Sequence, residues 1–113
     1  MILPKRINIK GQVYSISRTV DLRDDVGDQL YGLCDRDAKS IQIDSTIKGK
    51  MLKLTLVHEI FHAALTESHV PGCIGHEIEE LIVDALSEIV CDKFNLSLKS
   101  GRTKNGKKRK RRS

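Results

Sequence analysis

Between Lys5 and Val20 apolar and polar side chains alternate: Ile7 and Ile9 first, then Val13, Ile16 and Val20 after a break at Gly11-Gln12. Alternation with period two buries one face of an extended chain, so the segment predicts two strands. Residues 21–28 (DLRDDVGD) are acidic and predict a surface loop. Leu30 to Cys34 reads as a third strand, Asp35 to Lys39 as turn chemistry, and Ser40-Ile-Gln-Ile-Asp44 as a fourth strand closing a hairpin over 30–44. The period then changes. From Lys50 to Glu67 the apolar positions Met51, Leu52, Leu54, Leu56, Val57, Ile60, Phe61, Ala64 and Leu65 follow helical spacing with no Pro or Gly between them. Ser68 to Gly75 (SHVPGCIG) is rich in helix breakers and predicts a connecting loop. Glu77 to Leu96 predicts a second amphipathic helix carrying Ile78, Leu81, Ile82, Val83, Leu86, Ile89, Val90 and Phe94. Strands first and helices second make an α+β domain.

Composition narrows this picture. The 113 residues suit one small domain, read as residues 1–98, and no apolar run reaches the roughly 18 residues of a membrane span. Three cysteines, Cys34, Cys73 and Cys91, are odd in number and widely spaced, which argues against a disulfide framework and for a reducing compartment. The N-terminus carries charge within six residues and lacks the apolar stretch of a signal peptide, so the expected location is cytoplasmic. The net charge of +5 conceals two unlike parts. Residues 99–113 hold nine basic side chains and no acid, leaving eleven basic against fifteen acidic in the rest. An acidic domain with a disordered basic tail is the expectation.

The residues with chemistry are His58-Glu59-Ile60-Phe61-His62, an HExxH inside the first predicted helix. Histidines at i and i+4 lie on one helical face, where both imidazoles reach a single ion. The intervening glutamate then stands beside that ion, placed to take a proton from water. A zinc site needs a third protein ligand. The extension HExxHxxGxxH fails here, because Leu65 and Ser68 occupy the Gly and His positions and His69 is one residue out of register. The second helix offers Glu79, Glu80 and Asp84. Helical geometry places Glu79 among apolar residues, where a buried carboxylate must find a partner, and Glu80 on a polar stripe with Asp84 and Ser87. That argument leaves both glutamates as candidate ligands, with the remaining carboxylate available to hold a ligand histidine through its second nitrogen.

Ile41-Gln-Ile-Asp44, then Thr55-Leu-Val-His-Glu-Ile-Phe-His-Ala63, then Glu80-Leu-Ile-Val-Asp-Ala-Leu-Ser87 resemble the ImmA/IrrE-type zincins of bacteria and phages over roughly residues 28–95. The resemblance is specific at the HExxH and looser at the second helix, where Val83 replaces the usual Ala and the Leu-Leu-Met-Pro stretch is missing. It implies a minimal zincin fold: a three- to four-stranded sheet packed on the HExxH helix and a second, ligand-bearing helix. It also implies a zinc metallopeptidase encoded by a bacterium or phage, acting on a protein or peptide substrate. Glu80 becomes the third ligand beside His58 and His62, with one Zn²⁺ per chain, Glu59 the general base and Asp84 an outer partner of the ligands. A substrate strand is expected to add to an edge strand at 40–44.

Two alternatives use other residues. SprT-like proteases, which act on protein crosslinked to DNA, share the HExxH and take a later histidine, here His76. A zinc-stabilised module without catalysis would instead act through the tail, where Lys107, Lys108, Arg109, Lys110, Arg111 and Arg112 are suited to phosphates of nucleic acid. No aromatics interleave with these charges, so base stacking is not indicated. Tyr14 and Tyr31 read as half-buried sheet residues, and Cys34 and Cys91 as small core fillers.

Overall fold

Lys10 and Gly11 both adopt positive φ, 52° and 88°, which is the backbone of a two-residue hairpin turn. The Asn8 carboxamide accepts from the Gly11 N–H at 2.9 Å and closes that turn. It joins β1 (Arg6–Ile9) to β2 (Gln12–Thr19), paired antiparallel with Ile9 opposite Gln12. β3 (Gly32–Asp35) and β4 (Ser40–Asp44) form the second hairpin, whose turn is held by Asp35 Oδ1 accepting from the N–H groups of Asp37 and Ala38. The computed structural model describes residues 3–93. Over that span the protein is α+β, with a four-stranded mixed sheet followed by α1 (Gly49–Glu67) and α2 (Pro71–Lys93). The basic residues Lys107 to Arg112, and the end of the expected second helix, lie outside the described residues.

The strand order is β1-β2-β4-β3, with β2 and β4 parallel. This corrects one expectation. Residues 40–44 are an interior strand with partners on both sides, and the free edges belong to β1 and β3. The loop between β2 and β3 carries the chain past the position beside β2, so that β4 takes that place and β3 is left at the rim.

One face of the sheet is apolar. Tyr14 and Ile16 of β2 and Ile41 and Ile43 of β4 are buried against Leu52, Leu56 and Ala63 of α1. The alternation read from the sequence marks the core side at Ile9, Ile16, Ile41 and Ile43, but Val13 and Val20 face solvent and Tyr14 takes the core position in β2 instead. The Tyr14 hydroxyl donates to Glu67 Oε2 at 2.7 Å, and burial together with that bond keeps the phenol protonated. Arg18 donates to the carbonyls of Asp44, Ser45 and Ile47, tying down the link that feeds α1. α2 packs on α1. The segment expected as a loop through Gly75 instead begins α2 at Pro71, whose fixed φ suits a first helical turn. Gly75, at φ 80° and ψ 166°, then breaks the helix before it continues. No helix among the described residues is long and apolar enough to cross a membrane.

Asp44 stands where β4 ends. Its carboxylate accepts from the Leu22 N–H, the Thr46 N–H and the Thr46 hydroxyl, and these bonds hold its pKa below the ordinary value. A depressed carboxylate stabilises the fold above its unfolded pKa, and the contribution disappears as pH falls through the folded pKa. Asp44→Asn should therefore lower the melting temperature by several degrees at pH 7. The gap to the parent should narrow below about pH 4, as thermal scans across pH will show.

Candidate metal centre

α1 carries His58 and His62 one turn apart, and α2 brings Glu80 to the same point. His58 Nε2 and His62 Nε2 are 3.1 Å apart, and the Glu80 carboxylate lies 3.4 Å from the first and 3.3 Å from the second. These three side chains form a group that could hold a metal ion, each offering one atom within 4.8 Å of the others. The three separations can be tested against a tetrahedral ion. Two ligand atoms each about 2.0–2.1 Å from one zinc stand about 3.3 Å apart at the tetrahedral angle. The His58–His62 edge falls close to that value, while Glu80 reaches the two imidazoles through different oxygens, Oε1 and Oε2, so the donor set of two imidazoles and a carboxylate suits a metal ion.

The outer nitrogens support the same conclusion. His62 Nδ1 donates to Glu79 Oε2 at 2.5 Å, and His58 Nδ1 faces Asp84 Oδ1 at 3.2 Å. In the tautomer that directs both Nδ1–H groups at carboxylates, both Nε2 atoms would turn lone pairs towards each other and towards Glu80. That arrangement suits a cation. Burial, and after it the nearby His62, lowers the His58 pKa against the opposing pull of Glu80 and Asp84, which favours the neutral imidazole a metal needs. His62 is buried and Glu80 is about one-third exposed, so the centre is closed on the helix side and open towards solvent.

Glu79 and Glu80, adjacent in sequence, are thus separated by role. Glu79 is fully buried as its helical position implied, and its partners are His62 Nδ1 and the Arg36 guanidinium at 2.6 Å. It lies outside the three-residue group. Arg36, from the β3–β4 turn, was not singled out by the sequence; the burial expected of Glu79 required only some partner for it. His76 is exposed, with Nε2 3.8 Å from Glu80 Oε2, and sits at the mouth of the site.

A cleft of about 480 Å³ opens over the centre, lined by His58, Glu59, His62, His76 and Glu80 on the helical side and by Gly32, Leu33, Cys34 and Arg36 opposite. Glu59 is buried at its wall, and desolvation pushes its pKa up to about 7, against the lowering effect of His62 and Arg36. Burial, reinforced by Glu59, pushes the Cys34 thiol up to about 12, so it stays protonated and unreactive at neutral pH. Tyr31 is exposed and lines a smaller adjoining hollow of about 260 Å³ with Met51 and Leu54.

Gly32 permits this closeness of sheet and helix. A Cβ there would stand 2.7 Å from Thr55 Cγ2 and 3.0 Å from Glu59 Cγ. Thr55 is buried and β-branched, so it has little freedom to yield. Gly32→Ala should cost about 1–3 kcal/mol of stability in chemical denaturation.

No protein-family model matches the chain, and no curated protein matches it significantly in sequence.

Proposed function

We propose that the protein is a zinc-dependent metallopeptidase of the ImmA/IrrE type. The observation that carries the reading is the convergence of His58, His62 and Glu80 within 4.8 Å of one another, with Glu59 beside them at the wall of an open cleft. His58 and His62 would hold the ion through Nε2 and Glu80 through its carboxylate, leaving one side open. Zinc held there supplies Lewis acidity, making water a better nucleophile and polarising a carbonyl. Glu59 is the proton carrier: its carboxylate accepts the proton of the attacking water and delivers it to the departing amine nitrogen. Glu79 and Asp84 keep the two imidazoles in the tautomer and orientation that this requires.

The substrate strand belongs beside β3. Gly32, Leu33 and Cys34 form one wall of the cleft, and β3 is an edge of the sheet among the described residues. An extended peptide pairing with that edge would pass its backbone over the metal centre.

Elemental analysis of the purified chain after zinc reconstitution, combined with mass spectrometry of a peptide library incubated with it, tests the reading. One zinc per chain and discrete cleavage products are expected. Absence of zinc would overturn the whole reading. Stoichiometric zinc without cleavage of any peptide or protein offered would reduce the centre to a structural one.

A further inference from the structure

α2 is amphipathic twice over. Glu79, Val83 and Ser87 are buried at i, i+4 and i+8 and form the face turned to α1. Ile78, Leu81, Ile82, Leu86 and Ile89 are exposed, at 47%, 66%, 37%, 41% and 54%, and Ala85 among them is exposed too. At 100° per residue these six form one continuous stripe, centred roughly 150° round the helix from Glu80 and Asp84. The stripe therefore faces away from the metal centre, and covering it leaves the cleft open. From the exposures its accessible apolar area is on the order of 500 Å², near the top of what a monomer leaves uncovered.

We propose that this stripe is the interface of a homodimer in which two copies of α2 pack antiparallel. The spacing is self-complementary. Ile78, Ile82, Ala85 and Ile89 follow steps of four, three and four, the seam of a two-helix packing. In an antiparallel register centred between Val83 and Asp84, Ile78 meets Ile89 of the second copy and Ile82 meets its Ala85. The large residue thus lies opposite the small one at the centre of the contact. Leu81 and Leu86 flank the seam on its two edges and seal it. A two-fold interface requires this matching of a patch with itself. Two such stripes bury about 1,000 Å² together, the lower bound for a specific interface.

The chain's own C-terminal end fits less well. Ile78 lies about 22 Å back along the helix from Lys93, whereas the apolar-containing residues 94–98 span at most about 17 Å fully extended. Beyond them the sequence is nearly free of apolar residues and strongly basic. That segment cannot cover the stripe from end to end; a second α2 can.

Sedimentation equilibrium of the full-length chain at high micromolar concentration should give twice the 12.7 kDa chain mass. Leu81→Glu combined with Ile89→Glu should return it to the single mass, with circular dichroism and zinc content unchanged because both side chains are exposed. Register is tested separately, with Cys73 and Cys91 replaced by serine. Ile78→Cys chains mixed with Ile89→Cys chains should oxidise to a mixed disulfide in preference to either self-pair. A parent that sediments as a monomer overturns the proposal. So does a dimer indifferent to the double substitution, or one lost only when residues 94–113 are removed, which would make that segment the occupant. A preference for self-pairs would overturn the antiparallel register. None of these outcomes depends on peptidase activity, so the dimer and the proposed reaction stand or fall separately.

Discussion

His62→Ala is expected to abolish stoichiometric zinc binding and to destabilise the fold even without metal. The two losses have different origins. Nε2 is one of the three converging donors, and two remaining ligands do not make a closed set for a tetrahedral ion. Nδ1 is the nearest partner of Glu79, a carboxylate only 1% exposed. Removing one partner of a buried charge costs about 3–5 kcal/mol, and Arg36 at 2.6 Å still compensates part of this. Denaturation of the metal-free proteins should therefore show a loss of a few kcal/mol. Glu80→Gln provides the contrast. Its side chain is 37% exposed and outside the ligand group meets only the exposed His76, so zinc should be lost with little change in metal-free stability. If His62→Ala still held one zinc per chain, the assignment of the centre would be wrong.

That coupling of ligand to buried carboxylate was only half legible in the sequence. Helical spacing placed Glu79 among apolar residues and required a partner for it. It could not identify that partner, because Arg36 arrives from a turn 43 residues away and only the folded sheet brings it there. The HExxH, by contrast, is a local pattern. Its two histidines share a face of α1 through helical geometry alone, and the helix was evident from Lys50 to Glu67. Glu80 was assigned by resemblance where geometry left two candidates, and the structure puts its carboxylate between the two imidazoles.

The strands were legible for the same local reason, and their order was not. Alternation marks which residues face the core, while neighbour relations depend on pairing between distant segments. Parallel pairing of β2 with β4 sends 40–44 to the interior and makes β3 the edge. Gly32 read as one more strand residue, since its role is to lack a side chain where α1 approaches. The run Pro71–Ile74 is a boundary case, in which Pro supports a first helical turn and Gly75 then interrupts it.

Glu59→Gln should leave zinc content intact, shift the melting temperature by no more than a few degrees, and reduce peptide hydrolysis by about 10²–10⁴-fold. Glu59 is next to His58 in sequence and projects to a different side of α1, so it stands apart from the three-ligand group. Its carboxyl lines the same cleft and is 7% exposed. Glutamine has nearly the same shape and fits the same space beside Gly32, so packing survives. What it lacks is a basic oxygen able to take a proton from water and return it to the amine. Burial strengthens the distinction, because a desolvated carboxylate has a raised proton affinity and accepts that proton more readily than an exposed one. The measurement is the cleavage rate of one identified peptide by zinc-loaded parent and variant, with metal content determined on the same samples. Equal rates at equal zinc would remove Glu59 from the reaction and with it the metallopeptidase reading. A selective loss of rate would separate a catalytic centre from one that only braces α1 against α2.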